Sequence, residues 1–254
     1  MDTLALEFPP VSHLLEWPDF LFKGTIFGFN KIALIFVVSA GLSLLLLFAG
    51  GKRNLVPSGA QNLAESAVNF IEQNVIMQTM GSQGMVYLPF LLAMFLFVFF
   101  CNIFEVIPFV QMPGNARMAA PAFFALLVWL IYNFVGIKHQ GLKYFKNVMF
   151  PPGVPGALKP LVALIEFVST FFVRPFSLAV RLFANMLAGH LLLVTFAVLT
   201  ATLWSRTPLL AIVWAPFVVL IGLTGFEILV AFLQAFIITI LTAVYIGGAA
   251  HPEH

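Results

Sequence analysis

Polar side chains recur at helical spacing within the otherwise apolar stretch FSLAVRLFANMLAGH. Ser177, Arg181 and Asn185 follow one another at intervals of four residues, and an α-helix places such residues on one face. A guanidinium stays protonated at any physiological pH, and placing it inside a membrane costs at least about 2.5 kcal/mol. A charge kept at this cost indicates a functional site.

The histidine at the end of this stretch points away from the arginine. His190 lies nine residues beyond Arg181, which turns it by about half a helical turn to the opposite face. Ala184 and Ala188 flank the arginine, and such small residues let another helix approach closely. The side chains of the arginine and the histidine therefore point to opposite faces of the helix, as two separate aqueous chambers would require.

A second polar group lies in the last apolar stretch of the chain. Glu227, Ala231, Gln234 and Ile238 share one face of a helix. Glutamate and histidine titrate and can relay protons, while an amide can orient water. Together with Glu105 in an earlier apolar stretch, these residues suggest a piece of a proton path.

Each of these residues also has a purely structural interpretation. A buried arginine can form a structural ion pair, and the candidate acids are Glu105, Glu166 and Glu227. Histidine and amide side chains inside a membrane often serve only as interhelical hydrogen bonds, and this interpretation applies to His190, Gln234 and Asn102.

The composition determines the class of protein that must position these residues. Of 254 residues, 61% are hydrophobic and 9% are charged, so the chain is an integral membrane protein. The net charge of +2 is too small to indicate nucleic acid binding, and the basic residues are better interpreted as topology markers. Cys101, the only cysteine, cannot form an internal disulfide.

About 20 apolar residues span a bilayer as a helix. The sequence predicts an all-α integral membrane protein, one membrane domain over residues 1–254, with five crossings and an interfacial amphipathic helix. The predicted segments are an external N-terminal segment at 1–30, a first span at 31–50, the interfacial helix at 57–81, second and third spans within 86–137, a loop at 138–160, and a helical hairpin at 161–247.

The hairpin needs long, tilted helices. Its first apolar stretch, 161–204, would form a continuous helix of about 65 Å, roughly twice the hydrocarbon thickness. Such a helix must tilt or break, and Pro175 and Pro216 are the candidate bends.

Lysine and arginine counts in short loops predict the orientation. The N-terminus is expected outside and the C-terminus, HPEH, in the cytoplasm. The predicted cytoplasmic side carries Lys52, Arg53, Lys138, Lys143, Lys146 and Lys159, and the other side carries Lys23, Arg117 and Arg206 together with Asp2, Glu7, Glu16 and Asp19.

The chain resembles the a-subunit family of F-type ATP synthases, the membrane stator of the Fo rotary motor. The resemblance runs from VPSGAQNLAE to FLQAFIITILTAVYI and is strongest in RPFSLAVRLFANMLAGH and FEILVAFLQAFIITIL. It implies a bacterial plasma membrane location. It also implies a complex with a ring of c subunits, the b-subunit peripheral stalk and the other synthase subunits, with no cofactor, no metal and no catalytic activity in this chain.

The resemblance also implies individual roles. Arg181 corresponds to the family's essential arginine, which faces the carboxylates of the rotating c-ring and separates two aqueous half-channels. Asn185, His190, Glu227 and Gln234 match positions near the outer half-channel, and Ser177 matches a position on the inner path. Glu105 matches an acidic position of the family on the second span.

The chain departs from the family pattern at two points. Some members carry an acid in place of His190 and a histidine in place of Glu227, an exchange that preserves a titratable pair. The spacing from Glu166 to the Arg-Pro pair is one residue longer than in the family, so no channel role is assigned to Glu166.

Of three alternative functions, two lack the features that the sequence would show and one stays possible. A self-contained secondary transporter would show internal repeats or broken helices around a midplane site, and neither is evident. An intramembrane hydrolase would need a motif such as HExxH or Gly-x-Ser-x-Gly, and the sequence contains neither. A sodium-driven motor stays possible within the same family, because the sodium site would lie mainly in the c subunit.

Overall fold

The computed structural model describes residues 30–51, 59–107, 110, 114–116, 118–141, 143–150, 155, 158–204 and 213–250. Most of these residues are helical and none of them forms a β-strand, which confirms the all-α prediction. The helices are α1 (Lys31–Gly50), α2 (Ala60–Ile71), α3 (Met77–Thr79), α4 (Leu88–Ile103), α5 (Ala119–Gln140), α6 (Lys143–Met149), α7 (Lys159–Val168), α8 (Arg174–Trp204) and α9 (Trp214–Ala250).

Within the described part of the chain, five helical segments are long and apolar enough to cross a membrane, which is the number that the sequence predicted. They are Lys31–Phe48, Gly81–Ile103, Ala119–Gln140, Lys159–Trp204 and Trp214–Ala250. The chain is therefore a multi-pass membrane protein.

Helix α1 begins at a side-chain cap and packs on α2 and α4. The Asn30 side-chain oxygen accepts a hydrogen bond from the Ala33 backbone N–H at 3.0 Å. The predicted interfacial segment contains α2, whose buried side includes Gln61, Ala64 and Ile71. Its position at the membrane surface stays a prediction, and the predicted external segment 1–30 lies outside the described residues except for Asn30.

Two boundaries differ from the sequence prediction. The second span begins earlier, in the 3-10 segment Gly81–Tyr87, and α4 ends at Ile103, so that Glu105 lies in the turn after the helix. The predicted loop at 138–160 was wrong in part, because α5 continues to Gln140 and α6 follows it.

Helix α6 forms because an aromatic side chain fills a gap on α5. Gly141 ends α5 with a positive φ of 61°, and the chain turns back so that Tyr144 is 2% exposed. The Tyr144 ring lies against Gly136, and its hydroxyl donates to the Asn133 side-chain oxygen at 3.4 Å. Burial raises the pKa of Tyr144, so this hydroxyl stays protonated.

Adding a methyl group at Gly136 is expected to destabilise this contact. A Cβ at Gly136 would overlap the Tyr144 ring, and overpacking of this kind costs about 1–3 kcal/mol. Gly136→Ala should lower the temperature at which the subunit is lost from the purified complex on heating. Gly41→Ala is the control, because a Cβ at Gly41 meets nothing within 4 Å. Equal temperatures for the two variants would contradict the packing argument.

The last two apolar stretches form an antiparallel hairpin in which α8 packs against α9. Arg174, near the start of α8, lies over Tyr245 near the end of α9, and Asn185 contacts Gln234 further along. Pro175 follows a π-helical turn, Ser169–Val173, so the helix is irregular at this predicted bend. Pro216 lies in the first turn of α9, where a missing N–H is tolerated, so no bend occurs there.

The described lysines of the predicted cytoplasmic side lie near one end of the bundle. Lys138 is in the last turn of α5, where the Gln140 side-chain nitrogen donates to the Ala249 carbonyl at 2.8 Å and ties α5 to the end of α9. Most of the other residues used for the orientation lie outside the described part of the chain. The orientation therefore stays a prediction.

Candidate functional site

The arginine face of α8 lies on the outside of the bundle. Ser177 and Asn185 are exposed, as are Ala184 and Ala188, and Arg181 is partly exposed. Among the described residues, no ion pair joins Arg181 to Glu105, Glu166 or Glu227. The structural ion pair considered from the sequence is therefore not formed within this chain, and the guanidinium lies on a surface that a partner helix can reach.

An amide pair connects this face to α9. The Asn185 side-chain nitrogen donates to the Gln234 side-chain oxygen at 2.9 Å. Gln234 is 1% exposed, and its own side-chain nitrogen has no hydrogen-bond partner among the described residues. Glu227, Ala231, Gln234 and Ile238 are all buried, as their shared face predicted.

The imidazole faces the interior of the bundle. His190 is 5% exposed, and its Nδ1 lies 3.9 Å from Oε1 of Glu105, which is 2% exposed. This distance is too long for a hydrogen bond, so the two side chains are close neighbours without a direct bond. The turn after α4 thus brings an acid from one span against a histidine from another.

Glu227 completes this group because α8 has no side chain opposite it. A Cβ added at Gly189 would lie 2.5 Å from both carboxylate oxygens of Glu227. The carboxylate therefore lies directly against the backbone of α8 at the residue that precedes His190, and Glu227 is 3% exposed. Glu105 thus lies near His190, and Glu227 lies against the preceding residue of α8. We call Glu105, His190 and Glu227 the acid–imidazole cluster.

A pair of asparagines borders this cluster. The Asn115 side-chain nitrogen donates to the Asn102 side-chain oxygen at 2.7 Å, and both residues are 0% exposed. Asn102 lies one turn before Glu105, whose backbone N–H donates to the Asn102 carbonyl at 3.1 Å. Asn115 lies in the short turn Gly114–Ala116, which packs between α1, α4, α5 and α8.

Buried polar groups in this region have hydrogen-bonding capacity left over. The buried atoms without a partner among the described residues include Glu105 Oε1, Glu227 Oε2, Gln234 Nε2, Asn102 Nδ2 and Asn115 Oδ1. Such groups in native proteins are normally satisfied, by water where the protein supplies no partner. The described residues contain no group of three or more His, Cys, Asp or Glu side chains able to hold a metal ion, and the HPEH tail lies outside them.

These groups follow one another along the hairpin at intervals of about one helical turn. From Arg181, the Asn185–Gln234 pair is one turn along α8, and the acid–imidazole cluster follows one further turn on. Ser177 lies one turn from Arg181 in the other direction. The arginine thus lies between a polar interior route on one side and an exposed hydroxyl on the other.

A model of the ATP synthase A chain family matches residues 32–247 of this chain, a range that contains all of these groups. The chain belongs to the ATP synthase A chain family. The protein named ATP synthase subunit a in Frankia alni is 42% identical over 229 residues, which cover 89% of this chain and 79% of the relative. The proteins of the same name in Rhodococcus erythropolis and Bradyrhizobium diazoefficiens are 40% and 39% identical, over 93% and 89% of this chain and 88% and 90% of their own.

Two residues of the candidate site, Gly189 and Asn115, were not predicted as site residues from the sequence. Gly189 carries a signal, because a glycine in a helix interior is costly and usually marks a close approach. Asn115 carries none, since its importance depends on how a three-residue turn packs among four helices.

Proposed function

We propose that this chain is the proton-translocating stator subunit of the Fo rotary motor. In this proposal it provides two aqueous half-channels to a c-ring, and Arg181 separates them. The observation that carries the proposal is the contrast on α8: Arg181 faces outward with no acid partner among the described residues, and His190 faces inward toward buried acids. A structural ion pair would require the opposite arrangement for the arginine.

The acid–imidazole cluster is the outer half-channel in this proposal. A proton would pass by way of Glu105, His190 and Glu227 toward the Asn185–Gln234 pair, which reaches the outer face of α8. The unpartnered polar atoms along this route are suited to hold water between the titratable groups. Ser177 would lie at the inner half-channel.

Arg181 would act on the ring by its fixed charge. A guanidinium cannot lose its proton when it is desolvated, as a lysine can, so it favours the ionised form of each arriving ring carboxylate. At an effective dielectric constant near 20, a pair 4 Å apart is worth about 4 kcal/mol before desolvation, which is strong enough to capture the carboxylate and still reversible. The same charge blocks direct proton flow between the half-channels.

The remaining parts of the proposal concern the setting of the subunit. Its partners are the c-ring, the b-subunit stalk and the other synthase subunits in a bacterial plasma membrane, with the N-terminus outside and the C-terminus in the cytoplasm. The subunit needs no cofactor and makes no chemical bond itself. ATP is formed in the soluble head of the complex, driven by the torque generated here.

Thiol labelling from the two sides of the membrane tests this proposal. Ser177→Cys and Glu105→Cys are made in a Cys101→Ala background, and sealed vesicles of known orientation are treated with a membrane-impermeant thiol reagent. We expect Ser177→Cys to react from the cytoplasmic side only and Glu105→Cys from the opposite side only. The readout is the labelled fraction of the subunit in the assembled complex, so it does not depend on residual pumping.

The control is Phe134→Cys, at an exposed position on the apolar surface of α5. We expect the reagent not to label it from either side, because lipid would cover this position. If Ser177→Cys and Glu105→Cys react from the same side, the two positions do not belong to separate half-channels. If neither reacts, no aqueous path reaches them, and either result rejects the proposal.

A further inference from the structure

The junction between α7 and α8 leaves one backbone carbonyl without its helical partner. In the π-helical turn Ser169–Val173, the Arg174 N–H bonds to the Ser169 carbonyl, five residues back. The next bond of this register would run from residue 175 to the Thr170 carbonyl. Residue 175 is proline and has no N–H, so the Thr170 carbonyl has no donor within its own helix.

A tyrosine from α5 supplies the missing donor. The Tyr132 hydroxyl donates to the Thr170 carbonyl at 2.6 Å, and the two residues are 2% and 1% exposed. A buried backbone carbonyl rarely goes without a partner, so this bond favours the π register over the α register. In the α register the Arg174 N–H would bond to the Thr170 carbonyl, which would then have a partner within its own helix and no longer depend on Tyr132 for one.

The choice of register controls the direction of every residue that follows. A π turn contains about one residue more than an α turn, so changing between them rotates the two flanking helices relative to each other by about 100°. Arg174 follows the turn directly, and its guanidinium lies 5.3 Å from the centre of the Tyr245 ring. Arg181 is seven residues further, close to two full turns, and therefore lies on the same stripe of α8 as Arg174.

We propose that Tyr132 is a positioning residue for Arg181. By donating to the Thr170 carbonyl it holds the π turn, and the π turn sets the rotation of α8 that directs Arg181 to the outer face and Asn185 to Gln234. The packing of Arg174 on Tyr245 supports the same rotation from α9. The consequence for proton transport rests on the proposed function, whereas the effect on the rotation of α8 does not.

Cross-linking across the hairpin measures this rotation directly. Asn185→Cys and Gln234→Cys are combined in a Cys101→Ala background, because the two side chains are in contact at 2.9 Å. In the purified complex, a short bifunctional thiol reagent is expected to join the pair efficiently when Tyr132 is present. Adding Tyr132→Phe removes only the hydroxyl, and we expect the cross-linking rate to fall by a factor of about five or more.

Two matched controls separate the bond to the carbonyl from general effects on packing. Tyr144→Phe removes a hydroxyl that is equally buried but bonds to Asn133 instead of the π turn. Thr170→Val keeps the backbone acceptor and replaces only the side chain. We expect both controls to cross-link at the original rate. If Tyr132→Phe also keeps that rate, or if Tyr144→Phe lowers it as much, the inference is wrong.

Pumping is then compared in complexes that retain Asn185 and Gln234. If Tyr132→Phe lowers both cross-linking and ATP-driven pumping per assembled complex, while Tyr144→Phe lowers neither, the positioning of Arg181 by Tyr132 is supported. If cross-linking falls and pumping stays normal, Tyr132 sets the rotation of α8 but the direction of Arg181 does not matter, and the proposed role of Arg181 fails. Unchanged cross-linking overturns the inference whatever the pumping rate.

Discussion

Arg181→Ala is expected to abolish ATP-driven proton pumping by the assembled complex, while proton leak remains measurable after the soluble head is removed. The reason is that a pair of about 4 kcal/mol between the guanidinium and a ring carboxylate is lost, which corresponds to roughly a thousandfold in an equilibrium before desolvation. The acid–imidazole cluster is untouched by the substitution, so under the proposed function it should still conduct protons. The measurement is proton movement in membrane vesicles in both modes, normalised to the amount of assembled subunit.

Two further variants of α8 make this result specific. Arg181→Lys keeps a cation that can lose its proton when desolvated, so we expect it to pump far less than the original protein. Phe176 lies on the same helix, is 66% exposed and is well away from the stripe of Arg181. The Phe176→Leu variant should therefore pump normally. If Arg181→Ala itself pumps near normally, the charge is structural and the stator proposal fails.

The sequence was sufficient for the spans and for the faces of the hairpin, because both follow from local periodicity. Apolar runs of about 20 residues predict helices that cross a bilayer. On α8, the spacing of nine residues between Arg181 and His190 predicts opposite faces, and the structure places one partly exposed and the other buried. The shared face of Glu227 and Gln234 follows from the same rule, and both are buried.

The sequence could not show which helices touch, since tertiary contacts leave little local signal. Glu105 meets His190 only because α4 stops at Ile103 and a turn follows. Helix α6 was interpreted as a loop because its stretch is rich in lysine and glycine, and the burial of Tyr144 decided otherwise. The π turn leaves equally little local signal, because Pro175 predicted a bend but the register of the turn depends on the Tyr132 hydroxyl, 38 residues before its acceptor Thr170.

Gly189→Ala is expected to lower proton pumping strongly, although it adds only a methyl group. A Cβ at this position would lie 2.5 Å from both carboxylate oxygens of Glu227, so the carboxylate must move away from α8 and from His190. A displacement of about 1 Å among reacting groups can cost about a hundredfold in rate. We therefore expect pumping per assembled complex to fall by at least about tenfold, measured in vesicles with the subunit quantified in the same preparation.

A shorter acid tests whether the loss comes from this contact. Glu227→Asp withdraws the carboxylate by one methylene, so Gly189→Ala combined with Glu227→Asp should pump better than Gly189→Ala alone, a non-additive effect typical of residues in contact. Gly248→Ala in α9 is the control, because a Cβ there meets nothing within 4 Å and should leave pumping unchanged. If Gly189→Ala pumps normally, the approach of Glu227 to the α8 backbone is not needed for proton transfer. If the double variant pumps less than Gly189→Ala, the position of the carboxylate depends on more than the space beside Gly189. The shorter aspartate side chain would then have relieved the overlap with the added methyl group without restoring proton transfer.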